Sequence, residues 1–242
     1  MLQLKNRDCL DVKNCTVIIP SICVGNAAQL ACDLLIASKK MKRVGSLMHP
    51  ALIPVFGPSA YQHEPDERVA ACEIYECANN KLIVIQFRTP LISRHAQSLH
   101  NYLAELVQQA QRVVILGASF GFEKREIGTS PYEYCVSDAF RKSHEAQLAN
   151  VQWMEFKGEI IFGGGNGLQL FRLLQEKQVP VMLLFRYVLE GDNSTDATLI
   201  VRELNDLCST FLQLETGDNA IKLTVPVSWK LLFGNEVTAF IF

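Results

Sequence analysis

No apolar run in this sequence approaches the roughly 18 to 20 residues that a membrane-spanning helix requires. The opening residues 1–12 are charged and lack an apolar centre, so no signal peptide is expected. Strong charge of either sign is missing too. With 23 Lys and Arg against 25 Asp and Glu, the formal net charge is −2 and the pI is about 6.2, which argues against nucleic acid and anionic membrane as partners. Eight cysteines are present, but no two have the Cys-x-x-Cys spacing of a zinc site or a thioredoxin-like motif. Most lie in apolar stretches, where a free thiol behaves as a small hydrophobe. A reducing compartment is therefore expected, the cytoplasm first and the nucleus second. The histidines His49, His63, His95, His100 and His144 are scattered, with no pair at helical i, i+4 spacing and none at ligand spacing from a cysteine. Neither a metal nor a cofactor is expected. Internal repeats and low-complexity segments are absent as well.

What is present is an apolar composition, 49% hydrophobic. A chain of this length can bury roughly 70–75% of its unfolded surface without disulfides or metal. The richness in apolar residues also hints at a surface covered by a partner. The β-branched run 15–20 reads as a buried strand, followed by a helix through Ala27, Ala31, Leu34 and Leu35 that Asn26 could cap. With a strand at 44–48, this order suggests a parallel strand–helix–strand unit. The basic residues Lys39, Lys40, Lys42 and Arg43 are expected at that helix's C-terminus, opposing its dipole. Residues 49–67, with four prolines, read as a loop. Segments 71–77 and 82–87 read as a hairpin around Asn79-Asn80, 94–111 as an amphipathic helix, and 112–116 as a central strand. Further on, a short strand at 160–162 enters the Gly163–Gly167 run. Helix 168–177, strand 181–187 and helix 195–212 follow, the last capped by Asp192 or Asn193. Residues 1–216 form an α/β domain, and 217–242 form a tail whose apolar content implies that it binds something.

Three features resemble catalytic machinery. Gly117-Ala118-Ser119-Phe120-Gly121 fits the Gly-x-Ser-x-Gly elbow of serine hydrolases, where glycines flank a nucleophile on a tight turn. The stretch after it is charged and ends in Gly128 and Pro131, and His144 is the only later histidine. A strand-ending turn explains the motif without a triad. The Gly163–Gly167 run could cradle a phosphate at a helix N-terminus, yet it lacks the Gly-Lys-Ser/Thr ending of a phosphate-binding loop. Glu190 and Asp192 suit a solvated turn better than acid–base work.

Four segments stand out together: 21–35 (Ser-Ile-Cys-Val-Gly-Asn-Ala-Ala-Gln-Leu-Ala-Cys-Asp-Leu-Leu), Ile53-Pro54-Val55-Phe56-Gly57 with Tyr61, the glycines 163–165 with 189–193 and Asp196-Ala197, and 226–234 around Trp229. In this order they resemble the PAC2 family of proteasome assembly chaperones. The resemblance implies a three-layer α/β/α sandwich with a mostly parallel central sheet, similar in shape to nucleoside phosphorylases but without their activity. It implies no cofactor, and an obligate heterodimer with proteasome assembly chaperone 1. That dimer would bind proteasome α-type subunits, promote α-ring assembly of the 20S core and prevent off-pathway ring dimers. It further implies that the C-terminal Phe240, Ile241 and Phe242 bind a partner. Chaperones and activators of this ring often end in a hydrophobic–tyrosine–any residue motif, and here Ile241 stands where the tyrosine would be. A serine hydrolase or phosphorylase-like enzyme using Ser119, and a generic protein-binding adaptor, are the alternatives.

Overall fold

The computed structural model describes residues 1–5, 9–126, 128–217 and 220–231. Its strands in chain order are β1 (Leu2–Leu4), β2 (Thr16–Pro20), β3 (Lys42–Leu47), β4 (Phe56–Pro58), β5 (Arg68–Ala70), β6 (Cys72–Cys77), β7 (Leu82–Phe87), β8 (Arg112–Phe120), β9 (Tyr132–Val136), β10 (Met154–Glu155), β11 (Val181–Val188), β12 (Thr216–Gly217) and β13 (Ala220–Ile221). The helices are α1 (Ala27–Ser38), α2 (Ser93–Leu106), α3 (Asp138–Ser143), α4 (Glu145–Leu148), α5 (Gly167–Glu176) and α6 (Ser194–Leu212). Nine strands form one sheet in the order β1-β3-β6-β7-β2-β8-β11-β9-β10. Its centre, β7-β2-β8-β11, is parallel, and antiparallel pairings flank it on both sides.

The centre is parallel because its strands are apolar on both faces. Every residue of β2 is buried, as are seven of the nine in β8, and such strands need a helical layer on each side. One layer contains α1 and α6, packed on Ile18, Val84, Val114 and Leu184. The other contains α2 and α5, packed on Val17, Ile19, Val113 and Ile115. Helix α1 is apolar nearly all round because it lies between the sheet and α6. Its fully buried Leu35 and Ile36 each contribute about 1.5–3 kcal/mol of transfer free energy. The three-layer α/β/α expectation holds.

Several local expectations are corrected. Strands β2 and β3 do run parallel, but the β6–β7 hairpin is inserted between them. Asn26 does not cap α1 with its side chain. It lies in the left-handed region after a 3-10 turn, Val24–Asn26. Strand β8 does not stop at Leu116. It continues to Phe120, because β11 pairs with it residue for residue up to Val188. The 160–162 segment is not a strand; the small strand there is β10. Arg43 lies within β3 and faces carboxylates rather than a helix end. Within the segment set apart as a tail, Ile221, Leu223 and Trp229 pack against the core, and the Ser228 amide donates to the Ala60 carbonyl at 3.3 Å. Phe240, Ile241 and Phe242 lie outside the described residues.

Candidate functional site

The C-terminal ends of β2, β8 and β11 bring together three stretches that are far apart in sequence: 21–26, 163–167 and 189–193. The Ser21 hydroxyl donates to the Gly164 carbonyl and accepts the Gly167 N–H at 3.0 Å. The Val24 amide donates to the Gly163 carbonyl at 2.7 Å. Gly165 has φ +60°, and a Cβ there would lie 2.1 Å from the Ile22 carbonyl oxygen. Gly25 has φ +62°, and its Cβ would lie 2.1 Å from the Asn193 carboxamide. The glycines therefore allow backbone segments to approach one another closely. The Gly164 and Gly167 N–H groups, two of those a phosphate would need, are committed to Ile161 and Ser21. Asn193 ends the turn before α6, its backbone carbonyl accepting from Ala197, while the Asp192 carboxylate accepts from the Ser194 amide at 2.9 Å.

Ser119 lies within β8 opposite Tyr187, buried, and its hydroxyl donates to the Phe162 carbonyl at 2.9 Å. A nucleophile elbow requires a sharp turn that exposes the hydroxyl, and a paired strand residue does not provide one. His144 lies between α3 and α4, stacked on Phe140 with centroids 4.2 Å apart, and its Nδ1 contacts Ser143 and the Phe140 carbonyl. Burial holds its pKa below the usual imidazole value. Ser119→Ala should thus cost only about 1 kcal/mol, one hydrogen bond, and leave partner capture unchanged. Labelling by a serine-reactive fluorophosphonate that disappears in this variant would overturn that reading. Among the described residues, no group of His, Cys, Asp or Glu is arranged to hold a metal, and no helix is long and apolar enough to cross a membrane.

A second cluster escaped the sequence. Arg88, just beyond β7, reaches Asp33 of α1 at 2.8 Å and Glu73 of β6 at 3.5 Å, and donates to the Tyr61 hydroxyl at 2.8 Å. Tyr61 in turn donates to Asp33 at 2.6 Å, as does the Gln86 amide. On its other side Glu73 accepts from Tyr75 and faces Arg43 at 3.1 Å. Glu73 is fully buried, and that burial raises its carboxyl pKa despite the two arginines. Each charged residue, read alone, looks like a polar interruption in an apolar segment. The fold alone reveals them as one network. Tyr61 lies in the loop of the β4–β5 hairpin, on which Phe56 is 77% exposed, and Ile53 just before it is 42% exposed.

A third feature is the apolar rim beside the glycine junction. Phe122 stacks on Phe120 at 5.0 Å, Leu189 lies against Gly121, and Phe162 is exposed with them; Phe122 and Leu189 are 75% and 73% exposed. Phe122, Leu189 and Phe162 thus form an exposed apolar group at one place, and Phe56 with Ile53 forms a second.

The domain is an α/β/α sandwich in which the glycine turn is packed against the end of β2. The PAC2 family profile matches residues 17–221, and the chain belongs to that family. It is similar to proteasome assembly chaperone 2 of Mus musculus, 27% identical and covering 96% of each chain, and to that of Danio rerio, 28% identical over 95% of each. In three dimensions it resembles Pyrococcus furiosus PbaA, an archaeal homolog of proteasome-assembly chaperone, with a TM-score of 0.64 at 17% identity over 90% of this chain and 88% of that one. It also resembles P. furiosus PbaB, an archaeal proteasome activator, with a TM-score of 0.66 at 14% identity over 90% of each.

Proposed function

We propose that this chain is a proteasome assembly chaperone that works as a heterodimer with proteasome assembly chaperone 1. In this reading the dimer binds α-type subunits in the cytoplasm and nucleus, promotes α-ring assembly of the 20S core and blocks ring dimers. The observation that carries it is the end-to-end correspondence with relatives named for this role, 96% of both chains in the mouse case. The apolar rim and hairpin supply surface for such contacts, and no catalytic step is assigned to Ser119. Co-expression with chaperone 1 should yield a one-to-one dimer. Pull-down of α-type subunits by that dimer is the direct test. A stable, soluble monomer that ignores chaperone 1 on mixing would sink the proposal.

Phe240, Ile241 and Phe242 are proposed to dock between neighbouring α subunits. Each apolar side chain is worth roughly 1.5–3 kcal/mol if fully buried, and the terminal carboxylate adds about 1.5–3 kcal/mol against a lysine. Ordering the backbone costs about 1–2 kcal/mol per residue, so the net gain is modest. Deleting 240–242 should weaken α-ring capture while the dimer keeps its melting temperature. Loss of capture together with a collapsed dimer would place these residues in the fold or the dimer interface instead.

A further inference from the structure

We propose that the cavity between α2, α5 and the C-terminal ends of β2 and β7 binds a small, largely apolar aromatic molecule with one hydrogen-bonding group, of the indole or phenol class. The inference is independent of the proteasome reading and concerns a site apart from the apolar rim.

The cavity measures about 230 Å³, larger than the roughly 150 Å³ apolar hole that accepts benzene. Phe87, Leu103, Ile115 and Leu170 form its walls. His100 lines it as well, from the buried face of α2, where Ala96, Leu99 and Leu103 make an apolar stripe. An aliphatic residue at 100 would continue that stripe. The imidazole there is only 4% exposed, and neither of its nitrogens has a hydrogen-bond partner among the described residues. Because no described protein group pairs with this imidazole, its hydrogen-bond partner is sought inside the cavity that it lines. The neighbouring hydroxyl cannot supply it, since Ser21 is committed to Gly164 and Gly167.

Three candidate occupants are separated by their polar atoms. Water needs two to four partners to be held, and the lining is mainly apolar. A sugar or nucleobase has several polar atoms, which these walls would desolvate without compensation. An aromatic ring with a single N–H or O–H pairs its one polar group with the imidazole's acceptor nitrogen and places the rest of its surface against the apolar walls. Burial lowers the His100 pKa and keeps the ring neutral, so it retains a lone pair to accept that hydrogen. The half-buried Leu91 and Asn166 stand among the lining residues as a way in from solvent.

The test uses the full chain with indole and its hydrocarbon counterpart indene, followed by methyl NMR. Indole should shift the methyl signals of Leu103, Ile115 and Leu170 and bind about 3- to 10-fold tighter than indene, the preference that one hydrogen bond confers. His100→Leu should keep indene binding and erase the preference. Leu91→Trp, at a half-buried lining position, should weaken both probes and remains informative if the histidine variant does not fold. The inference is overturned by methyl signals that neither probe shifts up to its solubility, by equal affinity for the two probes in the parent protein, or by a preference that survives His100→Leu.

Discussion

Arg88→Met should lower the melting temperature by about 6–20 °C. The methionine retains the stem's packing and removes only the guanidinium. That leaves Asp33 and Glu73 buried without their shared cation. Breaking one side of a buried charge network costs about 3–5 kcal/mol, and a domain of this size loses about 2–4 °C per kcal/mol. The deficit should depend on pH. Burial already raises the Glu73 pKa in the folded state, and removing Arg88 raises it further. A carboxyl with a raised folded pKa binds its proton more readily when folded. Its contribution to stability is therefore greatest below the unfolded value, about 4.3, and is lost as pH rises through the folded value. The variant's deficit should shrink on acidification from neutrality, and Glu73→Gln in the Arg88→Met background should recover part of it at pH 7. Urea melts at several pH values measure both. A drop under about 2 °C would show the network to be dispensable.

Gly165→Ala should cost about 2–6 kcal/mol and lower the melting temperature by about 4–24 °C. Two penalties combine. A left-handed conformation costs a residue with a Cβ about 1–3 kcal/mol, and forcing the methyl 2.1 Å from the Ile22 carbonyl displaces backbone at the end of β2, worth a further 1–3 kcal/mol or so. Gly128→Ala isolates the first penalty, since Gly128 also has positive φ but open space around it. Equal losses in the two variants would mean that close approach at the junction contributes nothing. A larger loss at 165, with α2 intact by hydrogen exchange, would locate the damage where β2, the glycine turn and α5 meet.

Periodicity made α2, α5, α6 and the β6–β7 hairpin legible, because each has one apolar face or a clear turn. It misjudged β8, where Gly117 and Gly121 look like punctuation. Gly117 instead lies inside a paired strand, where a Cβ would sit tightly, 3.2 Å from the Phe185 side chain. Strands β1, β4, β5, β9 and β10 are too short or too polar to show a period of two. The Arg88 network was not legible at all, because its partners lie 55 and 15 residues away in sequence and no local pattern connects them. The glycine turn and Asn193 could be singled out as segments, but their meeting at Ser21 and Gly25 needed the topology. The proposed C-terminal contact rests on the terminal residues alone, outside the described part of the chain.

The two ends of the sheet have a consequence for how such a molecule survives at high concentration. The outermost strands are β1, three residues long, and β10, two residues long. A long, bare outer strand would offer its unpaired amides and carbonyls as a template for stacking further copies. Here each margin offers only a few such groups. A protein that shows phenylalanines to its surroundings is thereby kept from growing into ribbons through its backbone, and its encounters are left to side chains, where they can be selective and reversible.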